Sequence, residues 1–228
     1  GGVPDEGGYV DVVLYYSRKG GTPVWLENVR RTLEKSYGGG KCFRRVRILN
    51  ANLTKAEEFY EGGWNNTGPN NLLYGLFRCP SIRNGYDFVL WHETDVFAVR
   101  NGWRDRVLEE CRYPRGFWRK GPSQLPLFNM VGAVSAHHYH MNTAGLYKMD
   151  PCFLELLERL RRDYPFAPPD AMLHLFFHEP ERFRNFQRYS HRFLYTDFMQ
   201  NWIGEWEYAD VFEHSRNTVM VHGKHRKL

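Results

Sequence analysis

Tyr86-Asp87-Phe88-Val89-Leu90-Trp91-His92-Glu93-Thr94-Asp95-Val96-Phe97-Ala98-Val99 is the stretch around which the other segments of the chain arrange themselves. Its apolar run from Phe88 to Trp91 reads as a strand buried on both faces, and it leads into two carboxylates one residue apart before apolar residues resume at Val96. Carboxylates at i and i+2 beyond a strand's carboxyl end can face one crevice, the place where open α/β sheets bind ligands. Paired hard oxygens there suit a divalent cation carrying phosphate. An acid-x-acid triplet also arises as an ordinary solvated turn, so its meaning depends on what the remaining chain brings to it.

Upstream, Val10 to Tyr16 reads as a first strand, ending in Ser17-Arg18-Lys19-Gly20-Gly21. Pro23 to Lys35 follows as an amphipathic helix with Trp25, Leu26, Val29 and Leu33 on one face, closed by Gly38-Gly39-Gly40. Phe43 to Leu49 is a second strand, and strand-helix-strand so early predicts a right-handed βαβ unit and a largely parallel sheet. Leu53 to Tyr60 is expected to be helical, and a Gly/Asn-rich turn through Gly62, Gly63 and Asn65 opens another helix, Asn70 to Arg78. Downstream, Trp103 to Glu110 is a short helix, 111–127 an irregular basic loop with three prolines, and Phe128 to Ala136 a strand. Pro151 to Arg162 is an amphipathic helix, and Pro168-Pro169-Asp170 starts another over Ala171 to Phe177, with Asp170 placed to cap it. After Val219-Met220-Val221 the chain is basic and Gly-containing, which predicts a mobile C-terminal lid over 222–228.

No Pro/Ser-rich linker or charge block divides the 228 residues, so the expectation is a single α/β domain, 1–228, with a central, mostly parallel sheet flanked by helices. With 16% aromatic residues, the chain carries more aromatic surface than packing usually demands, and part of it is expected to bind a ligand. The net charge of +5, with arginines concentrated in 104–119, fits either a solvated basic face or attraction for anions. The cysteines Cys42, Cys79, Cys111 and Cys152 lack zinc-finger spacing and read as buried thiols, a disulfide remaining open in a secretory compartment. No stretch reaches the ~18 apolar residues of a membrane span. The Gly1-Gly2 start reads as trimmed from a longer protein, and the sequons at Asn52 and Asn65 leave both the Golgi lumen and the cytoplasm open.

In this order the segments resemble the glycosyltransferases of the GT-A fold, a Rossmann-related architecture that uses nucleotide-sugar donors. Glu93-Thr94-Asp95 is similar to that family's DXD motif with glutamate at the first position. The resemblance implies that Asp95 is the firmer metal ligand, while Glu93 reaches the metal or the ribose through water. Asn142-Thr143-Ala144-Gly145-Leu146-Tyr147 resembles the small-residue loop beside the donor sugar, which implicates Asn142, Ala144 and Gly145. Asp170 falls where these enzymes keep an acceptor-side carboxylate, and His222-Gly223-Lys224 resembles the C-terminal histidine that closes the metal shell.

The chemistry can be argued independently of the family. A nucleoside diphosphate leaves readily only when its developing charge is neutralised, which a Mn²⁺ or Mg²⁺ ion held by a carboxylate and an imidazole does. Nitrogen ligation by His222 tilts the expectation toward Mn²⁺, and Lys224 is placed to contact the β-phosphate. For the nucleoside, Tyr15, Tyr16, Ser17 and Arg18 at the first strand's exit form the expected pocket, completed by Asn70 and Tyr74. Asn70 reads equally as a helix cap and Tyr74 as a packed aromatic. Deprotonating an acceptor hydroxyl needs a carboxylate, Asp170 first and Asp197 second, with a plain helix cap the equal reading of Asp170. Trp202 and Trp206 are a core pair or, on one helical face, a sugar-stacking platform. His137-His138-Tyr139-His140 reads as substrate contacts more than as zinc ligands. The expectation is therefore a metal-dependent glycosyltransferase taking a UDP-sugar donor and a glycan or glycoconjugate acceptor, with no nucleic acid or membrane segment involved. Two alternatives stand: a basic nucleic-acid-binding module carrying Phe117-Trp118-Arg119-Lys120, or a nucleotidyltransferase or phosphodiesterase with the same acids.

Overall fold

A computed structural model describes residues 10–38, 42–59, 67–122, 124–125, 141–178 and 183–226. The expected strand over Phe128 to Ala136 and the His137–His140 run lie outside them. The chain is α/β, and it divides into two compact units with the boundary between Ile82 and Arg83.

The first unit holds β1 (Asp11–Arg18), α1 (Val24–Tyr37), β2 (Arg45–Leu53) and α2 (Thr67–Arg78), and the boundary falls at the last residue of the single turn α3 (Pro80–Arg83). β1 and β2 pair in parallel from Asp11 opposite Arg45 to Tyr16 opposite Asn50, as a helical crossover between them allows. The buried stripe of α1 is narrower than its apolar spacing suggests. Leu26 is its buried residue, whereas Trp25 is 64% exposed and Val29 is exposed as well, because these two lie on the stripe's flank. Among the described residues of the stretch expected to be helical, 53–59, there is no helix. The strand continues to Leu53, and 55–58 is a turn in which the Glu57 carboxylate accepts from the Thr54 N–H and hydroxyl, both at 2.8 Å. That side chain gives the backbone an alternative to continuing as helix.

The second unit contains two four-stranded sheets. One has the order β3 (Phe88–Trp91), β7 (Gly145–Lys148), β5 (Arg119–Gly121), β8 (Phe193–Tyr195). The other has the order β4 (Val96–Ala98), β10 (Met220–His225), β9 (Met199–Trp206), β6 (Gln124–Leu125). The helices are α4 (Trp103–Arg112), α5 (Pro151–Asp163), α6 (Pro169–His178), α7 (Phe183–Tyr189) and α8 (Tyr208–His214). The sheets are mixed where a largely parallel one was expected: β3–β7, β5–β7 and β4–β10 are antiparallel, while β5–β8, β9–β10 and β6–β9 are parallel. The central stretch itself is also less buried than its apolar run suggests. β3 stands at one end of its sheet and all four residues are half-buried. Phe88 and Leu90 pack on a core of Val96, Val107, Phe117, Leu146, Phe198, Met199 and Met220, drawn from both sheets and α4.

The basic loop expected over 111–127 is the largest departure. It contains β5, and Phe117, Trp118, Arg119 and Lys120 are all buried. The Lys120 ammonium, fully buried, donates to the Glu110 carboxylate at 2.7 Å, to the Glu110 carbonyl at 2.6 Å and to the Tyr113 carbonyl, 4.6 Å from the Phe117 ring centre. Arg119 donates to the carbonyls of Met141 and Asn142 and stacks over Tyr147. A buried cation is tolerated only when paired and hydrogen-bonded in this way. Trp202 and Trp206 lie on strand β9, not on a helix; Trp206 is buried against Val211 and Val221 with Trp202 packed beside it, the core-pair reading. All four cysteines are free, and Cys42 and Cys152 are exposed where buried thiols were expected. Among the described residues no helix is long and apolar enough to cross a membrane.

Candidate metal centre

Beyond Trp91 the chain leaves β3 and turns through His92 to Asp95, with the Val96 N–H donating to the Glu93 carbonyl at 3.1 Å before β4 begins. β10 then runs antiparallel to β4 with His222 opposite Val96, and the Gly223 N–H donates to the Asp95 carbonyl at 3.1 Å. These ladder contacts bring the two ends of the second unit together. One ligand atom each from Glu93, Asp95 and His222 lies within 4.8 Å of the others. His222 Nε2 stands 3.3 Å from Glu93 Oε2 and 3.2 Å from Asp95 Oδ1. Neighbouring ligands of an octahedral shell with bonds of about 2.0–2.2 Å are about 3 Å apart, close to the two His222 distances, so the three residues could hold a divalent cation.

Gly223 makes this placement possible. Its φ is 125°, a Cβ there would lie 2.6 Å from the Trp202 carbonyl, and the β9–β10 register shifts between His222 and Lys224. Burial opposes charging the imidazole, but the Glu93 carboxylate and then Asp95 outweigh it and hold the His222 pKa above its ordinary value. The other ring nitrogen, Nδ1, is 2.5 Å from Asn201 Oδ1.

The small-residue turn reaches the same sheet end. Gly145 pairs opposite Trp91, so Asn142 to Ala144 precede β7 where His92 and Glu93 follow β3. The Ala144 N–H donates to Asn142 Oδ1 at 2.9 Å, and a Cβ on Gly145 would meet the Lys120 carbonyl at 2.6 Å. Tyr147, fully buried, donates its hydroxyl to the Thr143 carbonyl at 2.6 Å. Burial is the main reason its pKa is pushed up to about 12; Arg119 pulls the other way, and the charges of Glu93 and Asp170 add to the rise. Asp170 lies in the first turn of α6, one residue inside the helix start and not at the cap position.

Other expected residues are engaged elsewhere. Asp197 Oδ2 accepts from the Ser215 hydroxyl at 2.7 Å and from Asn217 Nδ2 at 3.1 Å. Burial would raise its pKa, and these donors overcome it and hold the carboxyl below its ordinary value, which suits a turn anchor and not a base. Lys224 pairs with Glu205 at 2.7 Å, and Arg226 pairs with Glu207 at 2.8 Å. The segment expected as a mobile lid is strand through His225; 227–228 lie outside the described residues.

The expected nucleoside residues belong to the first unit. Tyr15 packs toward α2, where a Cβ on Gly75 would be 2.8 Å from its hydroxyl, and burial pushes its pKa up to about 12. Tyr16 reaches Thr22 Oγ1 at 3.5 Å, Ser17 donates to Glu58, and Arg18, 86% exposed, is 3.9 Å from the same carboxylate. Asn70 and Tyr74 are buried within α2, so Asn70 is not its cap and Tyr74 is a packed aromatic. Two polar residues escaped pattern reading: Glu58, which pairs with Ser17 and Arg18 in the first unit, and Asn201, beside His222 in the second. Asn201 did carry a signal: Gln200-Asn201 is a polar pair inside the otherwise apolar run Phe198 to Ile203, and buried polar residues are the informative exceptions. No protein-family model matches the chain, and no curated protein or solved structure matches it.

Proposed function

We propose that this chain is a metal-dependent glycosyltransferase that moves a sugar from a nucleoside-diphosphate sugar, with a UDP-sugar the expected donor, to a hydroxyl of a glycan or glycoconjugate. The observation that carries the reading is the convergence of Glu93, Asp95 and His222 at the sheet end that also carries the Asn142 to Ala144 turn. Glu93, Asp95 and His222 Nε2 would hold Mn²⁺ or Mg²⁺, and the ion, when bound, supplies charge neutralisation for the departing diphosphate. The turn at Asn142 to Ala144 offers backbone groups beside that position for orienting the donor sugar. Asp170 is the carboxylate assigned to take the proton of the acceptor hydroxyl, since Asp197 Oδ2 is engaged by Ser215 and Asn217. The nucleic-acid reading loses its main feature, because Phe117 to Lys120 are buried.

Calorimetric titration of UDP with and without Mn²⁺, followed by a panel of nucleotide sugars, tests the proposal. Metal-dependent UDP binding with release of sugar from one donor supports it. Nucleotide consumption without sugar release would point to another phosphate enzyme, and metal-independent binding of oligonucleotides would overturn the reading.

A further inference from the structure

We propose that Asn201 is a positioning residue for the Glu93, Asp95 and His222 centre: it accepts the Nδ1–H of His222, so that Nε2 faces the two carboxylates and, once deprotonated, presents its lone pair to a cation held between them. The inference rests on the metal-centre reading above. A neutral imidazole has one N–H and one lone pair, and the partner of one nitrogen decides the state of the other. Here Nδ1 lies 2.5 Å from Asn201 Oδ1, while Nε2 is 3.2 Å from Asp95 and 3.3 Å from Glu93. The pairing is built into the sheet: β9 and β10 run parallel with Asn201 opposite His222, which puts both side chains on one face.

Asn201 is 4% exposed, and its neighbour Gln200 shows what a purely structural amide looks like in this strand. Gln200 donates to the Val211 carbonyl and the Thr218 hydroxyl, and accepts from Trp202 Nε1. Those partners tie β9 to α8 and to the strand entry at Thr218, whereas the Asn201 oxygen is spent on a ligand of the centre. Groups in this position typically change metal affinity by about 10–100-fold.

The test is Mn²⁺ affinity of the full chain at fixed pH, read by the electron paramagnetic resonance signal of the free ion. Wild type is expected to bind, Asn201→Leu to bind about 10–100-fold more weakly, and Asn201→Asp, which offers the same acceptor, to stay within about threefold of wild type. No binding by wild type overturns the metal reading itself. Binding by wild type and by Asn201→Leu with equal affinity overturns the role of Asn201 alone, as does an Asn201→Asp variant as weak as the leucine one. Should the leucine variant not fold, the wild type answers by itself. With Zn²⁺ as a diamagnetic probe, nitrogen NMR of His222 is expected to show a protonated Nδ1 and a metal-bound Nε2, and metal on Nδ1 would overturn the assignment.

Discussion

Asp95 and Asp197 occupy equivalent places in the second unit. Each follows a strand of the β3-β7-β5-β8 sheet and precedes entry into the other sheet, Asp95 directly before β4 and Asp197 two residues before β9. Their surroundings differ. Asp197 accepts from Ser215 and Asn217, and Thr218 donates to its carbonyl, so the acid ties the turn between α8 and β10 to the start of β9. Asp95 faces an imidazole and stands beside a second carboxylate, an arrangement that leaves oxygen lone pairs to a cation. Neutral donors tie Asp197 into a turn; a histidine and a like-charged neighbour make Asp95 a candidate ligand.

The most severe break of this contrast is the exchange of each acid for its amide. Asp95→Asn is expected to abolish transfer and weaken Mn²⁺-dependent UDP binding at least about 100-fold with little change in melting temperature, because a ligand is lost from an exposed turn. Asp197→Asn is expected to leave that affinity unchanged. Calorimetry on both variants decides, and a reversed result would dissolve the distinction. A third acid sharpens it: Asp170→Asn should cut transfer by roughly 10²–10⁴ while sparing Mn²⁺ affinity, measured as turnover against metal titration. If only the melting temperature falls, Asp170 merely stabilises its helix.

Smaller effects concern stability. Asp197→Ala is expected to cost about 1 kcal/mol, at the low end for hydrogen bonds to a charged group because the site is partly exposed, and this would lower the melting temperature by about 2–4 °C. Since its pKa is depressed on folding, that contribution is present above the ordinary carboxylate range and disappears as pH falls through the lowered value. Melting curves of wild type and variant should therefore converge in acid. His222 behaves oppositely. Its pKa is raised on folding, so in chelator its contribution is complete below the ordinary histidine value of about 6.5 and is lost as pH rises through the folded one. Added Mn²⁺ should restore melting temperature most at the alkaline end, where the nitrogen is already deprotonated. A metal effect independent of pH would remove His222 from the centre.

Local pattern alone settled much of this molecule. The strand ending near Arg18, the helix after Pro23, the second strand and the helices beginning at Trp103 and Pro151 follow from apolar spacing, proline and capping residues, which act within a turn or two. Asp150, which accepts from the backbone of Cys152 and Phe153, shows how near such determinants lie. Glu93, Asp95 and His222 were grouped from the sequence through the resemblance to the GT-A glycosyltransferases, not through any local pattern. That they come within ligand distance follows from the β4–β10 register and the Gly223 bulge, which depend on strands far apart in sequence. The burial of Lys120 likewise depends on Glu110 and the Tyr113 carbonyl, and the same basic, aromatic run would have been a solvated face without them. Strand pairing and desolvation are sums over non-local neighbours. A window of sequence can therefore say that a residue is an acid, a lysine or an asparagine, whereas packing determines whether the acid anchors a turn or faces a cation, and whether an asparagine holds a histidine in place.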